Sequence, residues 1–214
     1  DAKEAAMHVL DTLIARGFVQ QSTDADTLRE ALSTGARTFY VGFDPTADSL
    51  HIGHLLPVMA MAHLQRAGHK PIVVLGGGTA MVGDPSGKDK TREILTPEKI
   101  QSNLESMRQQ FGRFLDLGNT EVLNNADWLM GLGYIHFLRD VGKHFSVNVM
   151  LARDTVKRRL ESDGMSYAEF SYLLLQSNDF ATASMIPALF ISSLLCLYGL
   201  NKWLEQLVFP PGCA

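Results

Sequence analysis

Arg37-Thr38-Phe39-Tyr40-Val41-Gly42 is an aromatic and β-branched run closed by glycine, and Pro71-Ile72-Val73-Val74-Leu75 is a second apolar run, followed by Gly76-Gly77-Gly78. Both have the composition of buried strands, and the second lacks the polar alternation of a half-exposed one. Between them, Leu55 to Ala67 is rich in Leu, Met and Ala and stops at Gly68, as a helix and its terminator would. Strand, helix and strand in so short a span predict a βαβ unit, and therefore a parallel sheet with a right-handed crossover.

The alternation continues on both sides. Thr96 caps and Pro97 opens a helix whose Ile100, Leu104, Met107, Phe111 and Phe114 step along one face. Glu121-Val122-Leu123 reads as a weak strand ahead of Asn124-Asn125, and helices are expected from Tyr134 to Val141 and from Val147 to Leu160. Ser166 and Glu169 have the spacing of a capping box in front of Phe170, Leu173 and Leu174. Toward the N-terminus, Ala5, Ala6, Val9, Leu10, Leu13 and Ile14 recur at helical spacing among charges, with Gly17 near the stop, which is no secretory signal. The expected fold class is α/β, a Rossmann-like doubly wound parallel sheet, with ligands outside the carboxyl ends of the strands.

The composition of the 214 residues agrees with a globular core: 46% hydrophobic, 20% charged, net charge −4. No basic excess announces nucleic acid. Cys196 and Cys213 are too few for a disulfide framework and lack zinc-site spacing, so a reducing, cytoplasmic setting is expected.

The chemistry concentrates in Gly42-Phe43-Asp44-Pro45-Thr46-Ala47-Asp48-Ser49-Leu50-His51-Ile52-Gly53-His54, between the first strand and the following helix. A helix start there offers free N–H groups and a positive dipole end to an anion. Gly53 removes a side chain that would hold a nucleotide off the backbone. His51 and His54, three apart, can donate hydrogen bonds to phosphate or ribose, although two isolated histidines more often simply decorate a helix start.

This run, with its His-Ile-Gly-His signature, resembles the class I aminoacyl-tRNA synthetases, and the bacterial-type tyrosyl-tRNA synthetases in particular. Gly83-Asp84-Pro85-Ser86-Gly87-Lys88, the segment Phe137 to Asn148, and Glu169-Phe170-Ser171-Tyr172 resemble further segments of that family, so that the likeness covers roughly residues 5 to 180. The resemblance implies adenylation of L-tyrosine by ATP with Mg²⁺, transfer to tRNA(Tyr), and a homodimer. It also implies roles: Thr46 and His51 on the γ-phosphate, Gly53 and His54 toward ribose and adenine, Gly42 and Asp44 beside the nucleotide, and Lys88 and Arg92 closing over pyrophosphate. Without the family context, Lys88 and Arg92 would read as a solvated loop. Tyr40 would meet the substrate phenol, its alternative being a core tyrosine; Asp84 would bind the ammonium, or cap a turn, or both; Asn125 is a further tyrosine-binding candidate. Asn178 stands where the family is expected to have a tyrosine that helps hold the substrate amine, and weaker tyrosine binding is expected from it.

Domain organisation follows: residues 1–180 form a partial catalytic domain, and 181–214 a hydrophobic tail unlike the family. From Phe180 to Asn201 there is no charged residue. A membrane span, diluted by Pro187 and Gly199, a helix covering the sheet edge, and an unrelated tail remain open for it. The family's second, lysine-bearing signature and its tRNA-binding parts have no counterpart in 181–214, which leaves open whether this chain activates tyrosine alone or is a non-catalytic nucleotide- or RNA-binding remnant.

Overall fold

The computed structural model describes residues 7–22, 24–82, 95–161, 164–185 and 196–197. In chain order the elements are α1 (Val9–Ala15), β1 (Val19–Gln21), α2 (Ala25–Ser33), β2 (Thr38–Phe43), α3 (Ile52–Arg66), β3 (Lys70–Leu75), α4 (Pro97–Phe111), β4 (Glu121–Asn124), α5 (Ala126–Leu129), α6 (Tyr134–Asp140), α7 (Val147–Leu151), α8 (Asp154–Glu161), α9 (Tyr167–Met185) and β5 (Cys196–Leu197).

β2, β3 and β4 form a parallel sheet in that order, with Phe43 opposite Leu75 and Leu75 opposite Asn124, so all three strands end at one level. α3 and α4 are the crossovers. The pleat sorts the strand side chains: Phe39, Val41, Phe43, Val73 and Leu75 pack with Val58, Met61 and Leu64 of α3 and Ile100, Leu104, Met107 and Phe111 of α4. On the opposite face Ile72 and Val74 pack with Tyr40, Leu123 and Trp128. α9 reaches that face through Asp179, which accepts from the Trp128 indole N–H. Helices therefore serve both faces of a Rossmann-like α/β domain, and the βαβ reading holds.

The α4 boundaries follow from the cap: Thr96 Oγ1 accepts from the Lys99 N–H and Pro97 occupies the first turn. Phe114 departs from the expected stripe, because α4 ends at Gly112 and leaves Phe114 partly in solvent. The helix expected over 147–160 is two helices, α7 and α8, separated at Ala152-Arg153, and Arg153 is buried there. The Ser166–Glu169 capping box forms, and Glu169 also accepts from Arg159 in a buried ion pair. β1 and α2 were unforeseen: Asp24 caps α2 by accepting from the Thr27 N–H, while Leu28 and Leu32 enter the core. β1 pairs antiparallel with β5. No helix of the described residues is long and apolar enough to cross a membrane. Residues 186–195 and 198–214, most of the apolar tail, lie outside the described residues.

Candidate active site

The carboxyl ends of the three strands carry Asp44, the glycines 76–78 with Thr79, and Asn124-Asn125. These segments are tied directly: the Gly76 N–H donates to the Phe43 carbonyl at 2.8 Å, and the Asn125 N–H to the Leu75 carbonyl at 2.9 Å. A Cβ on Gly76 would collide with Asp44 Oδ1 and come within 2.6 Å of Thr79 Oγ1, and one on Gly77 would collide with the Asn124 amide. Glycine is required here by close approach, since neither residue has a positive φ.

Asn125, only 1% exposed, joins three elements. Its Oδ1 accepts from the Gly78 N–H at 2.7 Å, and its Nδ2 donates to Thr79 Oγ1 at 3.1 Å and to Asp179 Oδ2 at 2.6 Å. Trp128 Nε1 donates to the other Asp179 oxygen at 2.8 Å. Asp44 receives the Thr79 hydroxyl at 3.4 Å and the Tyr172 hydroxyl at 3.3 Å. Burial pushes the Asp179 carboxyl up to about 6; the bonds from Asn125 and Trp128 oppose that rise and the charge of Asp44 adds to it. Tyr40 responds likewise: burial raises its pKa, and the negative charge of Asp179 raises it further. A neutral phenol therefore faces the field of a carboxylate poised near neutrality, a donor-acceptor pair suited to a ligand hydroxyl.

A second cluster surrounds the start of α3. His51 is the N-cap, and its Nδ1 accepts from the Gly53 N–H at 3.0 Å. His54 Nδ1 accepts from the His51 N–H at 3.4 Å. An accepting Nδ1 fixes both neutral rings as Nε2–H tautomers, which leaves each Nε2–H to donate elsewhere. The rings stack with centroids 3.6 Å apart, and Phe43 lies edge-on to His54 at 5.8 Å. Burial, followed by the charge of His51, lowers His54 to about 4, so it is neutral at physiological pH. Gly53 also has a steric reason: a Cβ would stand 2.9 Å from His51 Cε1. The stretch before α3 carries Thr46, whose N–H donates to the Asp44 carbonyl.

Asp44 and Asn125 thus lie at the carboxyl end of the sheet, with Tyr40 in mid-strand on the face that Asp179 approaches, while Gly42, Thr46, His51, Gly53 and His54 lie on β2, on the loop after it and on the first turn of α3. Asp84, Lys88 and Arg92 lie outside the described residues. Asn178 precedes Asp179 on α9, about 100° around the helix from it. The sequence reading passed over Tyr172, Gln176 and Asp179 as site residues. They recur at i, i+4 and i+7 on α9, a polar stripe beside Leu173, Leu174 and Leu175, and Gln176 Oε1 is buried with no hydrogen-bond partner among the described residues. That spacing was the available signal.

The chain is similar to known proteins in sequence and in fold. The family tRNA synthetases class I (W and Y) matches residues 32–186. A tyrosine-tRNA ligase of Clostridium botulinum (strain Eklund 17B / Type B) is 55% identical over 175 residues, 81% of this chain and 43% of that protein. One of Desulfosudis oleivorans is 52% identical over 177 residues, 81% of this chain and 41% of that protein. Among solved structures, a C-terminally truncated mitochondrial tyrosyl-tRNA synthetase of Aspergillus nidulans superposes with TM-score 0.73 at 32% identity, covering 83% of this chain and 54% of that one. The chain thus spans under half the length of the curated relatives it matches.

Proposed function

The chain belongs to the class I tRNA synthetases of the tryptophan and tyrosine group, and from that premise we propose that it is the ATP- and tyrosine-binding part of a tyrosine-tRNA ligase. The reaction is adenylation: an L-tyrosine carboxylate oxygen attacks the α-phosphorus of ATP, the bond to the bridging oxygen breaks, and pyrophosphate leaves. The activated tyrosyl group then passes to the 3′ end of tRNA(Tyr) in the longer relatives.

The observation that carries this reading is the histidine pair at the start of α3. Two Nε2–H donors and the positive dipole end of α3 are suited to the negative charge of a phosphate chain, which strengthens as the transition state forms. Thr46 adds a hydroxyl, and Gly42 and Gly53 let a nucleotide lie close to the backbone. Lys88 and Arg92 would serve the leaving pyrophosphate. Tyr40, Asp179 and Asn125 form the end that would recognise the phenol, with Tyr172, Gln176 and Asp84 suited to the ammonium; Asn178 stays a candidate of the same helix. Mg²⁺ enters as part of the nucleotide substrate, since it favours phosphate and water oxygens; among the described residues no cluster of three His, Cys, Asp or Glu forms a cage for it.

Exposed apolar side chains on α6, α7 and α9, including Ile135, Val147, Val149 and Tyr167, favour a homodimer, and a cytoplasmic setting fits the family. Tyrosine-dependent exchange of pyrophosphate into ATP tests the function. Exchange abolished by His51→Ala supports the enzyme, whereas ATP binding without exchange supports a non-catalytic remnant.

A further inference from the structure

The loop between β2 and α3 holds Thr46 and His51, yet its one internal backbone hydrogen bond is the Thr46 N–H to the Asp44 carbonyl at 2.9 Å. Asp44 at its start is held by the Thr79 and Tyr172 hydroxyls, and three further ties come from α4. Asn103 Nδ2 donates to the Pro45 carbonyl at 2.9 Å, Gln110 Nε2 donates to the Asp48 carbonyl at 3.0 Å, and Gln110 Oε1 accepts from the Leu50 N–H at 2.9 Å. Asn103 and Gln110 are seven residues apart, two helical turns on one face, so α4 spans the loop from its beginning to its end. The same helix is anchored: Met107 and Phe111 are fully buried, and Phe111 meets Phe43 edge-on at 4.9 Å. Phe43 in turn touches His54.

We propose that Gln110 is a positioning residue for nucleotide binding, with Asn103 as its support at the other end of the loop. This rests on the reading of the α3 start as the phosphate site. One amide supplies both a donor and an acceptor to backbone groups two residues apart, so it sets the height and rotation of the segment that delivers His51. Displacements of about an ångström in such groups cost large factors in rate. Gln110 itself is half-buried and lies at the last turn of α4. Replacing it leaves the core side chains of that helix in place.

The test uses the full 214-residue chain. In Gln110→Met, which removes both bonds at similar volume, the Leu50 amide should exchange with deuterium roughly tenfold faster, and ATP should bind about tenfold more weakly. L-Tyrosine affinity and the unfolding midpoint should stay near those of the parent. In a His51→Ala background the same substitution should lose most of its effect on ATP, because the two residues act in series. Gln110→Glu, which keeps the acceptor for Leu50 and lacks the donor for Asp48, should fall between parent and Gln110→Met. Unchanged Leu50 protection, or equal losses of ATP affinity, tyrosine affinity and stability, would overturn the positioning role. A parent chain that binds no ATP overturns the phosphate-site reading and this role together; ATP binding that Gln110→Met leaves untouched overturns the positioning role alone.

Discussion

Asn125 donates to Asp179 at 2.6 Å, and this one bond closes the end of β4 onto α9. The same side chain accepts from the Gly78 N–H, so it holds the glycine-rich turn after β3 at the same time. Asn125→Ala orphans a buried N–H and takes a partner from a buried carboxylate, which should cost about 3 kcal/mol in urea unfolding. Asn125→Asp should be worse for ligand binding than for volume, because a second carboxylate would face Asp179.

Two of the shifted groups of the site, Asp179 and His54, have opposite consequences for stability. Asp179 titrates near 6 in the fold and near 3.8 when unfolded, so the native state holds the extra proton between those values. Its contribution is fully present below about 3.8 and is lost as pH rises toward 6, a change of about 3 kcal/mol at most. His54, lowered from 6.5 to about 4, contributes in the opposite sense: stability present above 6.5 is lost as pH falls toward 4, by less because the ring is partly solvated. Unfolding measured from pH 4 to 7 should show partial cancellation in the parent. His54→Gln should then become more stable as pH falls through that range, and Asp179→Asn less stable.

Capping and phosphate contact by His51 are separable. His51→Asn keeps a good N-cap for α3, so stability should change by under about 0.5 kcal/mol, while His51→Ala should lose about 1 kcal/mol. Both lack the Nε2–H donor. Pyrophosphate exchange should therefore fall in both to a similar extent, by about a hundredfold. Recovery of exchange in His51→Asn would assign the histidine to capping only.

The glycines divide by what surrounds them. Among the described residues Gly42 has only the Val74 carbonyl, at 3.9 Å, within reach of a new Cβ, so Gly42→Ala should fold normally and lose ATP affinity. Gly76→Ala meets Asp44 and Thr79 and should lose about 2 kcal/mol of stability. Thermal unfolding beside ATP titration separates the two behaviours.

β3 was readable because it is buried on both faces from Pro71 onward and therefore runs apolar, β2 because its aromatic and β-branched residues suit a strand with one fully buried face, and α4 because Thr96-Pro97 states its beginning. The first signature was readable for a different reason: its histidines, glycines and proline are dictated locally, by a helix cap and a tight turn. Tyr172, Gln176 and Asp179 escaped because their meaning is tertiary. Asp179 is one member of the polar run Gln176-Ser177-Asn178-Asp179 until β4 and α5 bring Asn125 and Trp128 to it, 54 and 51 residues away in the chain. Asn178 drew attention instead by its place in a motif. The division of 147–160 into α7 and α8 was hidden for the same kind of reason, since the buried Arg153 at the break looks in sequence like a surface cation.

The most direct measurement compares L-tyrosine and L-phenylalanine binding to the parent chain and to Asp179→Asn by calorimetry at pH 7.5. A site built by Tyr40, Asp179 and Asn125 to pair with a hydroxyl should prefer tyrosine by at least about a thousandfold, because a site arranged to hydrogen-bond a substrate hydroxyl rejects the analogue that lacks it. In Asp179→Asn most of that preference should vanish. Equal affinity for the two amino acids in the parent chain, or a preference untouched by Asp179→Asn, would contradict the assignment of this end of the sheet to the phenol of tyrosine.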